Sequence, residues 1–126
     1  MKDFSRDLVS ELEERAEVRV ETEADGRRSS VIIWVVVTQD GVYVRSYRGS
    51  KGIWYQRLRK DGSGALRVGR RRVPVRAAPD SDPTRNRRID QAYLSKYGGR
   101  WPKETEAMVK PASVRRTTLR LEPAGD

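Results

Sequence analysis

The run Val31–Thr38, VIIWVVVT, constrains the fold of this chain more than any other stretch. All but one of its residues are β-branched, a composition that costs side-chain freedom in a helix and suits a pleated strand. It is far shorter than the roughly 20 residues of a membrane span. It ends at Gln39-Asp40-Gly41, and Asp-Gly is a hairpin signal. Both faces are apolar: Ile33, Val35 and Val37 alternate with Ile32, Trp34 and Val36. A strand of this kind belongs in a barrel wall covered from outside by a helix or a second subunit.

The remaining segments build around that strand. Glu17–Glu23 alternates with period two and reads as a half-exposed strand. Val42–Ser46 is the return strand of the Asp-Gly hairpin. Ala65–Val68 and Arg72–Ala78 form a second hairpin, and Val114–Leu121 is the last strand. Phe4, Leu8, Val9, Leu12 and Ala16 share one face of an amphipathic helix, Asp3–Ala16, with Asp3 or Ser5 as cap. Ile53–Lys60 is a short helix with Trp54 and Leu58 one turn apart. Asp82 and Pro83 start a helix that runs to Tyr97, and another follows from Trp101-Pro102 to about Val109. The expectation is a mainly β, six-stranded, antiparallel small barrel with helical insertions. It forms one domain over residues 1–126: a helix at 1–16, the barrel at 17–121 and a loose tail at 122–126.

The chain has no Cys and no His. That removes disulfides, the usual zinc sites, Cys nucleophiles, Ser–His pairs and the neutral-pH proton shuttle. No metal site is expected. Chemistry is left to a bound cofactor or to Tyr, Lys, Arg and carboxylates, and no catalytic residue is assigned. The start is acidic and amphipathic, unlike a signal peptide, so a cytoplasmic protein is expected, with no membrane contact. The net charge of +9 is unevenly spread: residues 1–25 hold nine acids and four bases, and the rest hold nine acids and 23 bases. The barrel therefore carries a field that attracts an anion.

The glycine loop after the return strand is the candidate anion site. Arg45, Arg48 and Lys51 bracket Gly49 and Gly52 just before the Ile53 helix, and Ser46 and Ser50 add hydroxyls. A helix start offers free N–H groups to a phosphate, and arginine offers a two-pronged donor. The plainer reading is a basic, solvated turn. Tyr47 is a candidate ring contact and otherwise a rim tyrosine. Trp54 and Trp34 are candidate ring contacts and otherwise core.

The order of these motifs resembles the split-barrel flavin and deazaflavin binders. These include pyridoxamine-phosphate oxidase-like and deazaflavin-dependent nitroreductase-like proteins, and a small uncharacterised bacterial group among them is most similar. The matching segments are Gly26-Arg27-Arg28-Ser29-Ser30, taken as the first hairpin turn, then Ile33–Val37 and Asp40-Gly41. Gly49 to Trp54-Tyr55-Gln56-Arg57-Leu58 follows, and then Leu66-Arg67-Val68-Gly69 to Val75-Arg76-Ala77. The resemblance implies a split barrel, a homodimer, and FMN or a deazaflavin (coenzyme F420) in a groove at the barrel wall. It also implies a redox enzyme whose cofactor carries the hydride or electron. It adds Arg28 and Ser30 to the phosphate-side contacts. Two other classes stay open: a nucleic-acid-binding barrel using Tyr43, Arg45, Tyr47 and Arg48, and a cofactor-free structural dimer.

Overall fold

The computed structural model describes residues 3–124. Helix α1 spans Arg6–Glu14, and the Ser5 hydroxyl caps it by accepting from the Leu8 N–H at 3.3 Å. Strands β1 (Val18–Ala24) and β2 (Arg27–Ile33) form a hairpin, followed by β3 (Val36–Thr38) and β4 (Gly41–Val44). A single 3-10 turn, Gly49–Lys51, leads into α2 (Ile53–Asp61). Strands β5 (Ser63–Val68) and β6 (Arg71–Pro79) form the next hairpin. Helices α3 (Pro83–Tyr97), α4 (Pro102–Val109) and α5 (Ala112–Arg115) precede β7 (Leu119–Pro123). All pairings are antiparallel, in the order β2-β1-β5-β6-β7-β4-β3.

The sheet has seven strands where six were expected, because Val31–Thr38 is two strands. The break falls at Trp34 and Val35. The Val35 N–H donates to the Tyr97 hydroxyl at 3.2 Å, and Lys96 Nζ donates to the Val35 carbonyl at 2.7 Å. Side chains of α3 thus satisfy the backbone that a neighbouring strand would otherwise pair. The two edge strands, β2 and β3, are joined only by this corner, so the sheet curls until its edges meet there.

Three further expectations are corrected. Arg27–Ser30 lie in β2 and not in the turn. The turn is Asp25-Gly26, both left-handed with φ of +54° and +76°, as a two-residue hairpin requires. The return strand stops at Val44, and the Ser46 N–H bonds the Thr117 hydroxyl at 2.8 Å. The expected last strand begins five residues later, at Leu119. Pro111 starts α5 instead. Thr117 and Thr118 then donate their hydroxyls to the carbonyls of Val114 and Arg115, three residues back, at 2.6 and 2.7 Å. Strand β7 continues through Glu122 and Pro123, and the Ala124 N–H bonds the Pro74 carbonyl. Gly125 and Asp126, part of the expected tail, lie outside the described residues.

Two apolar clusters hold the structure. Inside the barrel, Val18, Val20, Leu66, Val75, Val44 and Leu119 meet Leu8 and Leu12 of α1 and Trp54, Tyr55 and Leu58 of α2. Outside it, Val36 and Tyr43 pack under Ile89, Tyr93 and Tyr97 of α3 and Met108 of α4. Helix α3 thereby supplies the expected outer cover for β3. It does not reach Val31 and Ile32, which stay 40% and 49% exposed.

Candidate functional site

A groove of about 490 Å³ opens where the end of β2, the segment after β4, the start of α2 and one side of α4 meet. This lies within the roughly 300–1,000 Å³ usual for cofactor pockets. Val31, Ile32 and Trp34 come from the β2 end and the corner, Ile53 and Trp54 from α2, and Met108 from α4. Among the described residues, Val31, Ile32, Tyr47 and Ile53 are four of the five large exposed apolar side chains, and all four line this groove.

The start of α2 lies on the groove. Gly49 has φ +66°, and its 3-10 turn delivers the chain to Gly52. No side chain caps the helix, so its first-turn N–H groups have no side-chain acceptor. Ser46 stands beside this start, fully buried, and its hydroxyl has no hydrogen-bond partner. Gly52 has an ordinary φ of −62°, so its role is space. A β-carbon there would collide with the Ser46 Oγ. Arg48, exposed at the rim, adds a cation, and Glu104 of α4 places a carboxylate on the facing wall.

Of the residues expected at the site, Arg45, Ser46, Tyr47, Arg48 and Trp54 converge on this groove. Arg28, Ser30 and Lys51 do not line it. Arg28 pairs with Glu23 at 3.4 Å beside a separate depression. Ser30 stands opposite Glu21 in the β1–β2 ladder, and Lys51 ends the 3-10 turn. Arg45 is present but committed elsewhere. Its fully buried guanidinium donates to the Thr118 hydroxyl, Asp90 Oδ1, the Met108 carbonyl, and the carbonyl and side-chain oxygen of Asn86. Those five bonds use every N–H it has. Asp90 also bonds Arg115, so Arg45 ties α3, α4 and α5 to the segment that carries Ser46. Burial of Tyr43 and Arg45 also breaks up the aromatic–arginine stripe that a nucleic-acid surface would have used.

Trp34 faces the groove and stacks flat on Tyr97, with ring centroids 3.9 Å apart and planes 2° from parallel. Burial pushes the Tyr97 phenol up to about 12 and the Lys96 ammonium down to about 8. Glu104 and Met108 were not legible as site residues, because only the packing of α4 on the barrel brings them here. Val31 and Ile32, which the sequence reads as a face covered by a helix or a second subunit, are left exposed on the groove.

Known proteins place this geometry among split barrels. A putative pyridoxamine 5'-phosphate oxidase from Listeria innocua matches with TM-score 0.65 and 8% identity, over 94% of this chain and 92% of that one. HutZ, the heme storage protein of Vibrio cholerae, matches with TM-score 0.63 and 14% identity, over 98% and 92%. An FAD-binding protein from Mesorhizobium loti matches with TM-score 0.58 and 16% identity, over 98% and 91%. At these identities the likeness establishes the fold. None of the curated proteins matches the chain. Among the described residues no helix is long and apolar enough to cross a membrane. The family model described as "uncharacterized protein conserved in bacteria (DUF2255)" matches residues 8–121, and the chain belongs to that family.

Proposed function

We propose that the groove binds a flavin-type cofactor, FMN or a deazaflavin, with its phosphate at the start of α2. The observation that carries this reading is the buried, unpartnered Ser46 hydroxyl beside an uncapped helix start on the groove floor. A buried hydroxyl without a partner costs roughly 1–3 kcal/mol, and a phosphate oxygen would relieve that cost. In this reading Ser46 Oγ and the first N–H groups of α2 hold the phosphate, and Arg48 neutralises it from the rim. Trp34, Trp54 and Tyr47 flank the ring, with Val31, Ile32 and Ile53 excluding water. When bound, the ring supplies hydride or electron transfer, chemistry that the side chains of a chain without His or Cys do not provide.

The exposed apolar rim is also the surface through which two copies pair, with the groove beside the interface. Burial of Val31, Ile32 and Ile53 against a second copy would remove three of the uncovered apolar side chains at the site. Two proteins of similar structure, the putative pyridoxamine 5'-phosphate oxidase and the FAD-binding protein, agree with a phosphate-bearing ligand.

The test is titration of the purified protein with FMN, a deazaflavin and single-stranded DNA, with the sedimentation profile recorded alongside. Saturable flavin or deazaflavin binding by a dimer is expected. Binding of DNA alone, with a steep salt slope, would replace this reading with the nucleic-acid one. A dimer that takes up neither flavin nor DNA would leave a structural role.

A further inference from the structure

The aromatic side chains behind the groove form a connected set that ligand binding alone does not use. Trp34 lines the groove and lies flat on Tyr97. Trp101, which immediately precedes α4 and is partly exposed, has its ring centroid 5.8 Å from that of Trp34 and 6.2 Å from that of Tyr97. Two indoles in near contact therefore lead from the groove to the surface between α3 and α4. Rings this close exchange electrons directly, without a bonded bridge between them.

The surroundings decide which rings carry charge. A phenol that loses an electron becomes a strong acid, so tyrosine oxidation needs a proton acceptor. The Tyr97 hydroxyl donates to the Ala16 carbonyl at 2.6 Å and accepts from the Val35 N–H, and neither takes a proton. Lys96 Nζ, 5.0 Å from the Tyr97 ring centroid, further disfavours positive charge there. Tyr93 is fully buried, its hydroxyl has no partner, and the Arg45 guanidinium lies 5.5 Å from its ring centroid. An indole holds its radical cation without an immediate proton acceptor. At Trp101 the Arg100 guanidinium, 4.6 Å from the ring centroid, opposes positive charge, so charge settles there by loss of the indole proton to water. Tyr97 is the platform that fixes Trp34.

We propose that Trp34 and Trp101 form a two-indole electron path between the ligand groove and the surface at the α3–α4 corner. The proposal rests on the flavin reading above. Trp34 would give one electron to a photoexcited ring held in the groove, and Trp101 would refill Trp34. The Trp101 radical cation releases its N–H proton to water. A hydrogen-atom donor of the ascorbate class then restores the indole. The net result is one electron passed from that donor to the ring, with one proton released.

The experiment uses FMN with the full chain and with the Trp34→Phe and Trp101→Phe variants. Bound FMN is measured by equilibrium dialysis, followed by laser-flash absorption of the indole radical. The path predicts a long-lived radical in the parent protein. Trp101→Phe should bind FMN equally but shorten the radical lifetime several-fold, because the charge stays beside the reduced ring and recombines. Trp34→Phe should abolish the long-lived radical. An unchanged lifetime in Trp101→Phe overturns the path even where Trp34→Phe fails to fold, and so does FMN bound with no radical in the parent protein. Failure of FMN to bind overturns the flavin reading, and the path with it.

Discussion

Helices α2 and α3 begin in opposite ways. At α3, the Asp82 carboxylate accepts from the Arg85 N–H at 2.8 Å, Pro83 fills the first turn, and Asp80 pairs with Arg85 at 2.7 Å. That start is closed by its own acids. At α2 the position before the helix is Gly52, no side chain caps it, and the neighbouring Ser46 hydroxyl is buried and unpaired. Helices α4 and α5 also start without a side-chain cap, so it is the groove and the buried, unpaired Ser46 hydroxyl beside α2 that set its start apart and support the proposed phosphate site. The contrast also separates two nearby arginines: Arg45 is consumed by the fold, and Arg48 stands at the rim.

The largest expected effect comes from removing what connects the two starts. Arg45 bonds Asn86 in α3 and directly precedes Ser46. Arg45→Met should destabilise the protein by about 3–5 kcal/mol in urea unfolding, toward the lower end because Asp90 keeps Arg115. Gly52→Asp would put an acid at the α2 start, as at α3, and its β-carbon would push against the Ser46 Oγ. It displaces the Ser46 hydroxyl and adds a like charge for phosphate, and FMN affinity should fall about a hundredfold, or ~2.7 kcal/mol. Ser46→Ala should weaken FMN about tenfold, ~1.4 kcal/mol, in the same titration. Its urea midpoint should hold or rise, since the hydroxyl removed has no partner in the protein. Asp82→Ala should do the reverse, costing about 1 kcal/mol of stability with FMN affinity unchanged.

The smallest effect is on pH dependence. Burial alone would raise the Asp80 carboxyl, but hydrogen bonds from Arg85 and the Asp82 N–H outweigh it and hold the group below its usual range. A depressed carboxyl contributes stability that is present above its unfolded pKa and lost as pH falls through the folded one. Acid unfolding of Asp80→Asn should therefore show a shallower loss of stability below the ordinary carboxylate range than the parent.

Much of this layout is legible in the sequence because it is local. The Asp40-Gly41 turn, the Asp82-Pro83 start and the glycines before Ile53 each act within a few residues. Ser46, Arg48 and Trp54 follow from that local order. The illegible parts depend on distant partners. The break at Trp34–Val35 needs Tyr97, 62 residues on, to take the backbone bond. Arg45 reads as a free phosphate ligand until Asp90, Asn86 and Thr118 fold over it. Arg28 and Ser30 read as turn residues because the Gly-Arg-Arg motif begins in the turn and runs straight on into β2, where they face β1 acids. Glu104 and Met108 reach the groove only through the packing of α4.

The central claim is that the open start of α2 is a phosphate site. The most direct measurement compares FMN with riboflavin, which has the same ring and no phosphate, by equilibrium titration at fixed ionic strength. Charge-assisted hydrogen bonds worth roughly 1.5–3 kcal/mol predict FMN binding at least about tenfold tighter. Equal affinity for the two would contradict the account.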